Sequence, residues 1–104
     1  MSQALISEMA KRIVDQFDPV KIILFGSWAR GDARPTSDVD LLVVLSPIAD
    51  KRQQTVSIRR ALADLPIGKD IIVTTPEEIE RRGQMIGTVL RPALREGKTI
   101  YERA

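Results

Sequence analysis

The sequence predicts an α/β (α+β) domain, a small sheet with helices packed on it. Three observations lead there. Short apolar, β-branched runs occur at residues 20–25, 41–45 and 69–74, amphipathic helical stretches precede and separate them, and no internal repeat or flexible linker interrupts the pattern. A chain of this length buries roughly two-thirds of its unfolded surface. With 104 residues and 43% hydrophobic content there is enough for one core, so residues 1–104 are expected to form a single domain.

In chain order, Leu5, Ile6, Met9, Ile13, Val14 and Phe17 recur at helical spacing, which predicts a helix over 3–16 with Ser2 as its cap. The stripe should pack on the sheet. Residues 20–25 read as a buried strand ending at Gly26, followed by a short helix starting near Ser27 and closed by Gly31. Asp38-Val39-Asp40 opens a second strand, 41–45, which Ser46-Pro47 punctuates. Ile58, Ala61, Leu62 and Leu65 mark one face of a helix from about 50 to 64, ended by Pro66 and Gly68. Residues 69–74 form the third strand. Thr75 as cap, Pro76 at the first helical position and Glu78 three residues after the cap start another helix. Gly83, Gly87 and Pro92 weaken it, so a break or kink is expected before Gly97 stops it. Residues 98–101 would add a short edge strand.

Composition narrows the chemistry. There is no cysteine and no histidine, which excludes disulfides, thiolate zinc sites, cysteine nucleophiles and imidazole bases, and leaves carboxylates as the metal ligands. Sixteen basic and 14 acidic residues give a net charge of +2, interspersed along the chain. Lys51, Arg52, Arg59 and Arg60 read as a solvated helix face, with an acidic partner or RNA as the alternative. No apolar stretch approaches the roughly 20 residues of a membrane span, so no membrane association and a cytoplasmic location are expected.

The chemistry concentrates between residues 26 and 40. A strand, a glycine and a helix start leave backbone N–H groups facing one spot, suited to a phosphate. The Ser27 hydroxyl and the Arg30 guanidinium, three residues on, can add to it. By itself a Gly-Ser pair after a strand is an ordinary turn. Asp38 and Asp40 change that reading, because alternation in a strand puts them on one face about 6 to 7 Å apart. Two such carboxylates repel each other unless a cation sits between them. Magnesium, which takes oxygen ligands and keeps positions open for phosphates, suits the pair. Asp70 stands at the entry of its own strand as Asp38 and Asp40 do at theirs; if the strands are neighbours, three carboxylates cluster. Trp28 and Tyr101 are expected to pack, not to stack on a base, and Asp32 and Arg34 to belong to a polar loop.

The pattern Gly26-Ser27, Ala29-Arg30-Gly31, Ser37-Asp38, Asp40-Leu41, with an aspartate opening the next strand, resembles the nucleotidyltransferase superfamily that includes DNA polymerase beta. Over residues 18–102 the short chain is similar to the minimal nucleotidyltransferase (MNT) domains, the antitoxin partners of HEPN toxins. The resemblance implies a small mixed sheet and a metal-dependent transfer of a nucleoside monophosphate, AMP from ATP, to an acceptor hydroxyl. By position, Gly26, Ser27 and Arg30 would bind the nucleotide, while Asp38, Asp40 and Asp70 would be catalytic and hold two magnesium ions. It further implies a HEPN-type toxin as partner and acceptor, and leaves a homo-oligomer open. A nucleic acid is disfavoured as direct substrate, because neither a long basic stripe nor interleaved aromatics is present. The alternatives are a non-catalytic antitoxin that works by occlusion and a nucleotide-binding regulatory module.

Overall fold

The computed structural model describes residues 2–82 and 90–103. Among the described residues nine elements follow in order: α1 Ser2–Phe17, β1 Lys21–Phe25, α2 Ser27–Arg30, β2 Val39–Val44, α3 Lys51–Ala61, β3 Lys69–Thr74, α4 Pro76–Arg82, α5 Leu90–Glu96 and β4 Lys98–Glu102. The strands form one mixed sheet in the order β3-β2-β1-β4. β1 runs antiparallel to β2 and β4, whereas β2 and β3, joined through α3, run parallel.

Alternation along the strands builds two apolar layers. Ile22, Leu24, Leu41, Val43, Ile71 and Val73 pack with Ile6, Met9 and Ile13 of α1 and with Ile58 and Leu62 on the α3 side. On the opposite face, Ile23 and Leu42 pack against Ala93 of α5, with Phe25 and Ile72 alongside. This explains the unbroken apolar run of β2. A strand between two others, with both faces covered, has no solvent side to make polar. Removing such side chains from water, at about 25 cal/mol per Å² of apolar surface, is the main stabilising term.

The elements stop where their ends demand it. Asp50 caps α3 by accepting from the Gln53 backbone N–H at 3.1 Å, and Thr75 Oγ1 accepts from the Glu78 N–H at 3.1 Å, as its spacing predicts. α3 closes at Ala61, three residues before the expected end, in turns that lead to Pro66. β2 begins at Val39, so Asp40 lies within the strand and Asp38 just ahead of it. Tyr101 packs on the core and Trp28 does likewise, as expected. The expected break around Gly83 and Gly87 lies outside the described residues, as do the side chains of Ser2 and Pro92. Among the described residues, no helix is long and apolar enough to cross a membrane.

Candidate active site

β1 delivers the chain to Gly26, whose φ of 75° lies in the left-handed region that favours glycine. There is a second reason for glycine. A Cβ at this position would run into the carboxylate of Asp40, so the backbone and that carboxylate share space only a hydrogen can leave free. The first bonds of α2 run from the Ala29 and Arg30 N–H groups to the Gly26 carbonyl, at 3.1 and 3.0 Å. The N–H groups of Ser27 and Trp28 precede them and are outside the helical pattern. Gly31, at φ 87°, ends the turn as the sequence predicts.

The two aspartates arrive on β2. Asp40 stands opposite Phe25 of β1 and, across the parallel ladder, opposite Asp70 of β3. The strands are neighbours, and the register sets the two carboxylates on the sheet face they share with Leu42 and Ile72. Asp38 sits one turn of the pleat earlier. A Cβ on Gly68 would collide with its carboxylate, so Gly68, which also accepts the Val39 N–H at 2.9 Å, gives Asp38 its room beside β3.

Three anions at one end of two strands have an electrostatic consequence. Partial burial raises the Asp40 carboxyl above the ordinary carboxylate value, the charges of Asp70 and Asp38 push it further the same way, and Arg30 opposes them. The donor atoms are carboxylate oxygens, the hard ligands that magnesium takes. Among the described residues no three acidic side chains stand close enough to hold one ion as they are. Asp70, half exposed, turns to Arg59 at 3.7 Å, a distance at which an exposed pair contributes little. The cluster is thus convergent in backbone register and spread in its side chains.

Arg30 is near Asp40 but engaged elsewhere, at 3.3 Å from Asp32 and 3.8 Å from Glu96 of α5. Both contacts are solvent-exposed and open to exchange for a phosphate. Arg34 and Ser37 form the polar turn expected of that loop, with the Arg34 N–H donating to Ser37 Oγ at 2.9 Å.

Two contributors escaped the sequence reading. The sequence marks Gly68 as a helix end and a turn before Lys69, and no spacing reveals that its missing side chain makes room for Asp38. Trp28 does more than pack: its indole N–H donates to the Ser37 carbonyl at 3.0 Å, tying α2 to the residue before Asp38. The Gly26 turn and the segment that leads into Asp38 are thereby linked through one side chain.

Comparison with known proteins places the chain in a family. The family described as "Nucleotidyltransferase domain" matches residues 6–98. A Methanocaldococcus jannaschii protein named as a candidate protein adenylyltransferase is 32% identical over 108 residues, covering 99% of this chain and 74% of that protein. Among solved structures, a candidate nucleotidyltransferase from Sulfolobus solfataricus superposes with a TM-score of 0.67 at 22% identity, over 96% of this chain and 79% of the other. A toxin-antitoxin structure with AMP-PNP gives a TM-score of 0.62 at 20% identity, over 93% of this chain and 73% of that one. A toxin-antitoxin variant with two Asp-to-Glu changes gives 0.60 at 19% identity, with the same coverages. The matched span contains every residue of the site, from the Gly26 turn through Asp70, and the chain belongs to the nucleotidyltransferase domain family.

Proposed function

We propose that this nucleotidyltransferase moves AMP from ATP to a hydroxyl of a HEPN-type toxin, and so serves as the antitoxin of the pair. The observation that carries the reading is the register of β2 on β3, which sets Asp40 opposite Asp70 with Asp38 beside Gly68, next to the Gly26-Ser27 turn. The adenylyltransferase name of the M. jannaschii relative and the toxin-antitoxin neighbours, one of them with AMP-PNP, support the nucleotide and the partner. In the other neighbour the two substituted aspartates have the spacing of Asp38 and Asp40.

The β and γ phosphates would lie on the N–H groups of Ser27 and Trp28, with the Ser27 hydroxyl donating to them and Arg30 leaving Asp32 and Glu96 to pair with their oxygens. Asp38, Asp40 and Asp70 would hold two magnesium ions. When bound, these ions lower the pKa of the acceptor hydroxyl and neutralise charge on the pyrophosphate. The hydroxyl oxygen forms a bond to the α phosphorus, the bond from that phosphorus to the bridging oxygen breaks, and pyrophosphate leaves with the electron pair. Asp70, exposed at the entry of β3, takes the hydroxyl proton and passes it to solvent.

Intact-mass analysis of the protein encoded beside this chain, co-expressed with it, tests the proposal. The expected result is a gain of one or more AMP units with the wild-type chain and none with Asp38→Asn. An unmodified neighbour that is still neutralised would replace the transfer reading with occlusion.

A further inference from the structure

β3 is the outer strand of the sheet, and its far edge has no strand partner among the described residues. Folded proteins normally protect such an edge with charge, proline, a bulge or a cover. β4, at the other edge, carries Lys98 and Glu102 and a break in register. β3 has its charges, Lys69 and Asp70, at its first two positions, and its central residues 71–73 are Ile-Ile-Val in unbroken register with β2, so that stretch of the edge is β-branched and uncharged. It is a template for one more strand.

Alongside it runs a crevice of about 630 Å³, floored by residues 71–73 and walled by α3 through Lys51, Arg52, Val56 and Arg59. Val56 is 41% exposed, whereas the other large apolar side chains among the described residues are at least partly buried. Arg52 has no hydrogen-bond or ion-pair partner among the described residues. Lys51 reaches Glu78 at 2.8 Å, and Arg59 reaches Asp70 at 3.7 Å, so the crevice ends at one of the candidate catalytic carboxylates.

We propose that this crevice receives an extended, acidic segment of the protein acceptor, which pairs with the outer edge of β3 as a fifth strand and brings its hydroxyl to the Asp70 end. The inference rests on the reading of this chain as a transferase acting on a protein hydroxyl. Charge selects the occupant. A second copy pairing edge to edge would set two basic α3 helices side by side, at a like-charge cost. Nucleic acid meets the charge but not the edge: no aromatic side chain lines the crevice, and backbone N–H and carbonyl groups in strand spacing suit another peptide backbone.

The probes are three fluorescein-labelled molecules: a ten-residue peptide alternating Glu with Val or Thr, the same peptide with Lys for Glu, and a dodecauridylate. Their binding is followed by anisotropy with the wild-type chain and with Arg52→Glu and Val56→Asp, two exposed positions outside the transferase site. The acidic peptide should bind at least tenfold more tightly than the basic one, slow amide exchange in β3, and lose about tenfold in affinity with Arg52→Glu. Binding of ATP with magnesium should be the same in all three proteins. Equal or absent binding of the two peptides would overturn the proposal. So would dodecauridylate binding that Arg52→Glu abolishes, or a wild-type dimer that Val56→Asp separates. Failure of the two readings is distinguishable: peptide binding without AMP transfer removes the transferase role and keeps the docking site. Transfer to a protein at the wild-type rate by Val56→Asp removes the docking site and keeps the transferase.

Discussion

The parallel strands β2 and β3 have two ends of opposite character. At one end, Asp38, Asp40 and Asp70 gather like charges and Asp40 is pushed towards its neutral form. At the other, polar groups answer each other: fully buried Thr74 donates to Glu78 at 2.6 Å, and Glu78 takes Lys51 at 2.8 Å and caps onto Thr75. The matched end holds the fold together. The mismatched end is where the proposed cation would answer the gathered negative charge.

The largest test of that contrast is Asp38→Asn, which removes charge at constant volume. Transfer activity should fall by at least about 100-fold, since a catalytic metal contributes several kcal/mol to the transition state. Circular dichroism should show the fold unchanged.

Gly68→Ala sharpens the comparison without touching a carboxylate. Its Cβ would displace the Asp38 side chain, whose free end can swing away at little cost to folding. Activity should therefore drop about tenfold or more, as misplacement of a catalytic group does, with a melting midpoint close to wild type. A large loss of stability with full activity per folded molecule would assign Gly68 to the fold alone.

At the matched end the expectation reverses. Thr74→Val keeps shape but removes a buried hydrogen bond to a charged group, costing about 1.5–3 kcal/mol in urea unfolding. Activity at low temperature should persist.

The smallest expected effect belongs to Asp40→Asn in EDTA. Because the folded carboxyl sits above its ordinary value, ionisation at neutral pH opposes folding, and this penalty fades as pH falls through the raised value. The variant should melt slightly higher than wild type at pH 7 and lose that advantage in acid. Magnesium should narrow or invert the difference, as it stabilises the wild-type carboxylates.

How legible this was depended on the range of each interaction. Apolar alternation and helical spacing placed β1, β2, β3 and α1 within a residue or two, because local burial dictates those patterns. The Gly26 turn and the Asp38 and Asp40 pair are contiguous motifs, and the sequence exposed them directly. Asp70 needed strand context, since only the parallel register sets it opposite Asp40. Gly68 and the Trp28 to Ser37 bond depend on backbones approaching from separate elements, which no spacing rule encodes. Nor did pattern reveal that β3 would be the edge; chain order says nothing of which strand lies outermost.

If the carboxylates act at the α phosphorus, as proposed, the group that moves is the nucleoside monophosphate. The most direct measurement incubates the chain and its co-expressed partner with magnesium and ATP labelled on either the α or the γ phosphate, followed by denaturing electrophoresis and quantification of released pyrophosphate. Transfer at the α phosphorus should give α label on the partner in step with pyrophosphate release, no γ label, and neither product with Asp38→Asn. Covalent γ label on the partner, or α label that persists at the wild-type level in Asp38→Asn, would contradict it.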